Sequence, residues 1–284
     1  MKMNEINIRD PFILIENDQY YLYGSRAVDG WGECSGLDVY TSKDLEDWSE
    51  PIEAFSKPEG FWSGMNYWAP EVHKYKGKFY MFVSFKSETR ERGTQILVSD
   101  VPEGPFGIHS DGPVTPESWG CLDGTLYIDK DQTPYMVFCH EWTQVVDGEM
   151  CALKLSDDLK EAVGEPFLLF KASQPQWMPK DEEKLVTDGP FMYRTKGGKL
   201  LMLWSTFVND QYVEAIAYSD NGDITGNWKH ADTLLFSKDG GHGMLFNTMD
   251  SGELKFIFHT PNDTPNERPA IVGVRETDDM LFAE

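Results

Sequence analysis

The chain has 284 residues, with 25 basic against 48 acidic side chains and a formal net charge of −23. That balance repels nucleic acid and anionic membrane surfaces and leaves neutral or cationic small molecules as the ligand classes to consider. A hydrophobic share of 40% with 13% aromatics is globular, and no run of eighteen apolar residues is present to span a membrane.

The first predicted element opens at Arg9-Asp10-Pro11. An apolar run from Phe12 to Ile15, a turn at Asn17-Asp18 and a second run from Tyr20 to Tyr23 predict a buried strand, a tight turn and a returning strand. The unit then recurs. Trp68-Ala69-Pro70-Glu71 leads through a turn at Lys76-Gly77 to Phe79–Val83, and Leu122-Asp123-Gly124 leads to Tyr135–Phe138. Thr187-Asp188-Gly189-Pro190 leads to Leu200–Trp204, and Gly241-His242-Gly243 leads to Leu254–Phe258. Positions 10, 71, 123, 188 and 242 are thus spaced about 52 to 65 residues apart. A later strand ending in a polar turn follows in each unit, as in Val39-Tyr40-Thr41-Ser42 and Ile96-Leu97-Val98-Ser99. Self-similarity at this period predicts an all-β fold, a five-bladed β-propeller of mostly four-stranded antiparallel blades. The repeats leave no linker, so residues 1–284 read as a single domain. Helical periodicity is confined to one possible turn between Asp157 and Val163.

Cys34, Cys121, Cys139 and Cys151 lack metal-type spacing, and the last two fall in apolar strand contexts as small core residues. The start, Met1-Lys2-Met3-Asn4-Glu5, carries no apolar leader. That predicts a cytoplasmic protein, or an extracytoplasmic one if the natural chain is longer.

In each blade the innermost strand starts at one face of the disc and the second strand returns to it. This rule sends Asp10, Glu71, Asp123, Asp188 and His242 to one mouth of the channel. Arg26, Lys86, His140, Glu141 and His259 join them from the returning ends. Carboxylates crowded together split their pKa values, which is how acid and base roles become separated. Trp31, Trp68 and Trp142 are candidate sugar platforms beside this mouth, although core packing is the safer reading for any one of them.

The five motifs in order, Arg-Asp-Pro, Trp-Ala-Pro-Glu, Asp-Gly, Asp-Gly-Pro and Gly-His-Gly, cover essentially the whole chain. Together they resemble glycoside hydrolase family 43, five-bladed propellers acting on arabinose- and xylose-containing glycans. The resemblance implies an oligosaccharide substrate and hydrolysis with inversion, of the arabinofuranosidase or β-xylosidase type. Two carboxyl groups roughly 6.5–9.5 Å apart would flank the scissile bond, and no cofactor is required for the chemistry. By motif, Asp10 resembles the general base and Asp123 the carboxylate that orients the acid and raises its pKa. At the acid the sequence departs, because the family usually has Glu-Gly-Pro where Asp188 stands here, one methylene shorter. Three readings stay open: Asp188 is still the acid, Glu141 has taken that role, or the site only binds carbohydrate. His242 matches a family histidine that contacts a central cation, which implies a structural calcium in the channel. Calcium prefers oxygen ligands, so water would supply most of its shell. Arg268 falls where the family often has an arginine near the catalytic carboxylates. With Arg26, Lys86 and His140 it forms a set of substrate-binding cations, or a phosphate site in a phosphorylase of related fold. Oligomeric state has no signal in the sequence.

Overall fold

The computed structural model describes residues 1–28 and 30–284 and contains five four-stranded antiparallel sheets, each with its strands in chain order. Blade one is β1 (Ile8–Glu16), β2 (Gln19–Arg26), β3 (Gly36–Ser42) and β4 (Ile52–Ser56). Blade two is β5 (Met65–Tyr75), β6 (Lys78–Lys86), β7 (Gly93–Ser99) and β8 (Gly107–Pro113). Blade three is β9 (Cys121–Ile128), β10 (Pro134–His140), β11 (Glu149–Lys154) and β12 (Phe167–Lys171). Blade four is β13 (Asp188–Arg194), β14 (Leu200–Val208), β15 (Gln211–Ser219) and β16 (Trp228–His230). Blade five is β17 (Gly241–Asn247), β18 (Leu254–Thr260), β19 (Arg268–Thr277) and β20 (Met280–Ala283). The predicted turn between Asp157 and Val163 forms no helix. The single α-helix among the described residues, α1 (Trp142–Val145), instead follows Glu141 at the tip of blade three, and a 3-10 turn covers Met3–Glu5.

Period-two alternation makes the core. On β14, Leu200, Met202 and Trp204 join the apolar cluster shared with blade three, whereas Leu201 and Leu203 join the one shared with blade five. On β10, Met136 and Phe138 face blade two while Val137 and Cys139 face blade four. Each strand therefore glues two seams, as expected when successive side chains point to opposite faces. All four cysteines are buried.

A common irregularity opens every innermost strand. The register shifts between Arg9 and Phe12, Trp68 and Glu71, Asp188 and Phe191, and Gly241 and Met244, and on β9 between Leu122 and Thr125. At each shift one residue has positive φ: Asp10 (52°), Ala69 (48°), Asp123 (57°), Gly189 (48°) and His242 (50°). These are β-bulges that turn a side chain away from the pleat and toward the channel mouth. The next residue is Pro11, Pro70, Gly124, Pro190 or Gly243, so either an N–H is dispensed with or a Cβ is. At Gly243 a Cβ would lie 2.3 Å from Phe256 Cε2. The equivalent of Asp10 in blade two is therefore Ala69 and not Glu71, and in blade four it is Gly189 and not Asp188. Glu71, expected at the mouth, is buried two residues further along β5 and lies 3.0 Å from His73 Nε2.

No strand is exchanged between the last blade and the first. Closure is made by side chains instead. Asn7 Nδ2 donates to Pro265 O (2.8 Å) and Glu267 O (2.9 Å), and Arg9 Nη1 lies 2.7 Å from Glu267 Oε1. Among the described residues no helix is long and apolar enough to cross a membrane.

Candidate active site

A cavity of about 540 Å³ occupies the bulged mouth, a size that suits a small-molecule site. Asp10, Asp123, Asp188 and Glu141 all line it, together with Trp31, Trp68, Trp142 and His242. A second cavity of about 450 Å³ lies against the far ends of the same inner strands, where Phe12 packs against His73 and Phe191.

The bulges are pinned by the second strand of the preceding blade. Ser25 Oγ accepts the Ala69 N–H (2.7 Å), Ser84 Oγ the Asp123 N–H (2.9 Å) and Ser205 Oγ the His242 N–H (2.7 Å). His259 Nδ1 accepts the Asp10 N–H at 3.2 Å. Blade three has Cys139 at the corresponding place, and the Gly189 N–H donates to Asp123 Oδ2 (3.1 Å) instead. Gly189 is needed there, because a Cβ would stand 2.6 Å from His242 Cγ.

His242 Nδ1 is the hub, 3.3 Å from Asp10 Oδ1, 3.7 Å from Asp123 Oδ2 and 3.9 Å from Asp188 Oδ1. Around it the carboxyls have different surroundings. Burial pushes Asp10 up, but His242, Arg9 and His259 outweigh it, with the Ser25 hydroxyl donating to Oδ2 at 2.5 Å, and hold Asp10 below the ordinary carboxylate range. His259 itself is pushed down to about 3, by burial first and then by Arg9, so its ring is neutral. With Nδ1 accepting from Asp10, the ring proton belongs on Nε2, 3.3 Å from Asn262 Oδ1. Asp123 is the reverse case. Burial, then the charge and hydrogen bond of Asp188, push it well above the carboxylate range, and the Gly189 N–H only partly offsets this. Tyr212 Oη donates to Asp188 Oδ2 at 2.6 Å. Glu141 differs again, since the buried Arg92 donates from Nη1 to its Oε1.

Besides Glu71 and His259, four further residues expected at the mouth lie outside the cavity lining. Arg26 is held in blade one by Asp38, with Nε and Nη2 each donating at 2.7 Å. Lys86 ends β6, its carbonyl accepting from Ser63 Oγ, and its side chain does not line the cavity. His140 is buried, stacked on Trp119 (4.1 Å, 6°), and lies between Glu149 and Gln144. Arg268 turns to the chain start, with Nε donating to Asn4 O at 3.1 Å. The side chains of Arg26, His140 and Arg268 find partners within or behind the blades instead. Arg9 supplies the cation expected of Arg268, with Nε 3.9 Å from Asp10 Oδ1. Trp68 presents little open face, having Arg92 at 3.7 Å and Trp31 at 4.7 Å from its ring. Trp31 is 62% exposed and anchored by Nε1 donating to Thr264 Oγ1, so it is the more accessible wall.

Sequence reasoning missed Arg9, Arg92 and Tyr212. Tyr212 follows the turn after β14, whose mouth-facing end was already legible, and Arg92 lies just before β7 in a connection at the same face.

Asp123, Asp188 and His242 offer three ligand atoms within 4.8 Å of one another, so the cluster can hold a cation. Only two of those atoms are oxygens, whereas calcium takes six to eight.

A sequence profile for glycosyl hydrolases family 43 matches residues 4–279. The fold superposes on an endo-arabinase from Bacteroides thetaiotaomicron VPI-5482 with a TM-score of 0.89 and 39% identity over 98% of both chains. An extracellular endo-α-(1→5)-L-arabinanase of Bacillus subtilis is 28% identical over 50% of this chain and 46% of its own. An extracellular exo-α-(1→5)-L-arabinofuranosidase of Cellvibrio japonicus is 26% identical over 55% of this chain and 45% of its own. The chain thus matches about half the length of these curated relatives. Both relatives are extracellular enzymes, which overturns the expectation of a cytoplasmic protein drawn from the first residues.

Proposed function

The chain belongs to glycosyl hydrolases family 43, and from that premise we propose that residues 1–284 act as one catalytic domain hydrolysing arabinose-containing oligosaccharides with inversion. The carrying observation is the separation of carboxyl environments in one cavity: Asp10 is held as an anion while Asp123 retains a proton against Asp188. Such a split is what a general base and a general acid require at one pH. Arabinose is favoured over xylose because the endo-arabinase is 39% identical over nearly the whole chain.

In this reading Asp10 takes a proton from a water that attacks the anomeric carbon. The glycosidic C–O bond breaks as its oxygen receives the proton shared by Asp123 and Asp188. Asp188 delivers it, oriented by the Tyr212 hydroxyl on its other oxygen. Asp10 Oδ1 and Asp188 Oδ1 lie 3.3 Å and 3.9 Å from His242 Nδ1, so these two oxygens are no more than about 7 Å apart, a ceiling that meets both the inverting range of roughly 6.5–9.5 Å and the shorter retaining one, and the product anomer decides between them. The shorter arm of Asp188 thus stays within reach of a bond that Asp10 also flanks.

Glu141 is the weaker acid candidate, since one of its oxygens is already taken by the Arg92 guanidinium and it lies outside the cluster around His242. The phosphorylase reading loses its support, because Arg26, Lys86, His140 and Arg268 do not converge on the cavity. A cation at Asp123, Asp188 and His242 would compete with the shared proton, so the bound calcium is the weaker use of that cluster, and no step here depends on it.

The test is hydrolysis of arabino- and xylo-oligosaccharides and aryl pentosides with the product anomer followed by proton NMR. Asp10→Asn and Asp188→Asn should each lose at least about 10²-fold in kcat, the Asp188 loss shrinking on good leaving groups. An active Asp188→Asn beside a dead Glu141→Gln would transfer the acid role to Glu141, and a retained anomer would overturn the mechanism.

A further inference from the structure

Arg92 precedes β7 and is only 5% exposed, yet it carries a full charge. Its Nη1 donates to Glu141 Oε1 and its guanidinium covers the Trp68 ring at 3.7 Å. Nε is buried without a hydrogen-bond partner. The Arg92 carbonyl accepts the Cys121 N–H (2.8 Å), so the residue is tied by its backbone to the start of β9 as well. Filling the gap between blades two and three needs no charge. A buried guanidinium with an unmet N–H is a costly filler where an unbranched apolar chain would serve.

The ion pair does something that packing does not: it fixes Glu141. The Glu141 N–H donates to Gly120 O (2.7 Å), and Oε2 lies 2.9 Å from where a Cβ on residue 120 would stand. Glycine at 120 therefore makes room for this one placement of the carboxylate. Glu141 lines the cavity while Arg92 stands behind it. The Glu141 carboxyl keeps acceptor capacity beyond its one bond to Arg92.

We propose that Arg92 is a positioning residue that fixes Glu141 as a hydrogen-bond acceptor for a hydroxyl of the sugar bound in the cavity, making the pair a specificity determinant. This rests on the glycosidase reading above. A site built to accept a substrate hydroxyl rejects the analogue that lacks it far more strongly than an apolar wall does.

The experiment is a double-mutant cycle of Arg92→Met and Glu141→Ala, with kcat and KM measured on an aryl α-L-arabinofuranoside and its monodeoxy analogues. Arg92→Met should lower kcat/KM about tenfold to a hundredfold, chiefly through KM. Glu141→Ala should do at least as much, and the double variant no more than Glu141→Ala alone. One deoxy position should be rejected by the wild type and tolerated by all three variants. Losses that multiply in the double variant, or discrimination unchanged in Arg92→Met, would overturn the proposal and leave Arg92 as packing. If Arg92→Met does not fold, Arg92→Lys keeps the charge without the planar fork, and the proposal requires weakened discrimination there too. A wild type that turns over none of these substrates fails the glycosidase reading. The cycle is then read on arabinotriose binding by calorimetry, where additive losses or no binding at all would overturn the pair's role as well.

Discussion

Glu214 is a carboxyl buried completely on β15, behind the residues that line the cavity. Ser205 Oγ donates to its Oε2 at 2.6 Å while accepting the His242 N–H, and its Oε1 has no partner. Burial pushes its pKa up to about 8, the Ser205 hydroxyl offsetting only part. A carboxyl raised on folding contributes stability that is fully present below its unfolded value of about 4.5 and is lost as pH rises through 8. His230 and His259, pushed down to about 4 and about 3 chiefly by burial, act in the opposite sense. Their contribution is complete above roughly pH 6.5 and lost as pH falls through their folded values. Between pH 6.5 and 8.5 the acids therefore dominate, and thermal stability should decline across that window. Glu214→Gln should flatten the decline, recovering on the order of 2–4 kcal/mol at the alkaline end. A melting temperature that rises with pH over that window, or a decline that Glu214→Gln leaves unchanged, would show that Glu214 is already ionised in the folded protein at pH 6.5.

The bulge is the element that makes the site, and it was only half legible. The apolar runs and turns declared five strand pairs, because period two and Gly, Asn and Asp turns are local signals. The repeat spacing sets Glu71 and Asp188 level with Asp10, whereas the backbone requirement sets Ala69 and Gly189 there. Pro11, Pro70 and Pro190, with Gly124 and Gly243, mark the register, since each follows a residue whose φ is positive. Glu71 and Asp188 are the nearest acids and drew the alignment to themselves. What the sequence hid was pairing across seams: Arg92 to Glu141, and Arg268 to the chain start, join residues far apart in the chain. Ala69 is the one bulge residue with neither glycine's freedom nor a polar side chain, and Ala69→Gly should raise stability by about 0.5–1 kcal/mol in denaturant melts. Gly189→Ala should do the reverse and lower kcat about tenfold or more, because its Cβ must displace His242. Wild-type kinetics in that variant would mean that His242 can shift without disturbing the carboxyls.

For the whole molecule, four of the five seams join blades adjacent in the chain, and the fifth joins its two ends. That fifth seam relies on Asn7 and Arg9 reaching the 265–267 segment in addition to apolar packing. Asn7→Ala should cost about 1–2 kcal/mol in a denaturant melt, with activity lost at lower urea than the global far-ultraviolet signal. Coincident loss of both signals would mean that the closing seam is as firm as the rest.

The position of Asp10 beside that seam has a further consequence, for the order of events during synthesis. Each blade is a contiguous stretch and can form as it leaves the ribosome, but Asp10 belongs to the first blade and its partners His259, Arg9–Glu267 and His242 depend on the last. The nascent chain therefore carries Asp10, the proposed general base, from the beginning and lacks the partners that surround it until the final strands dock. Catalytic competence is in this sense a completion signal: a ribosome-stalled chain ending before residue 259 would display four formed blades and no turnover.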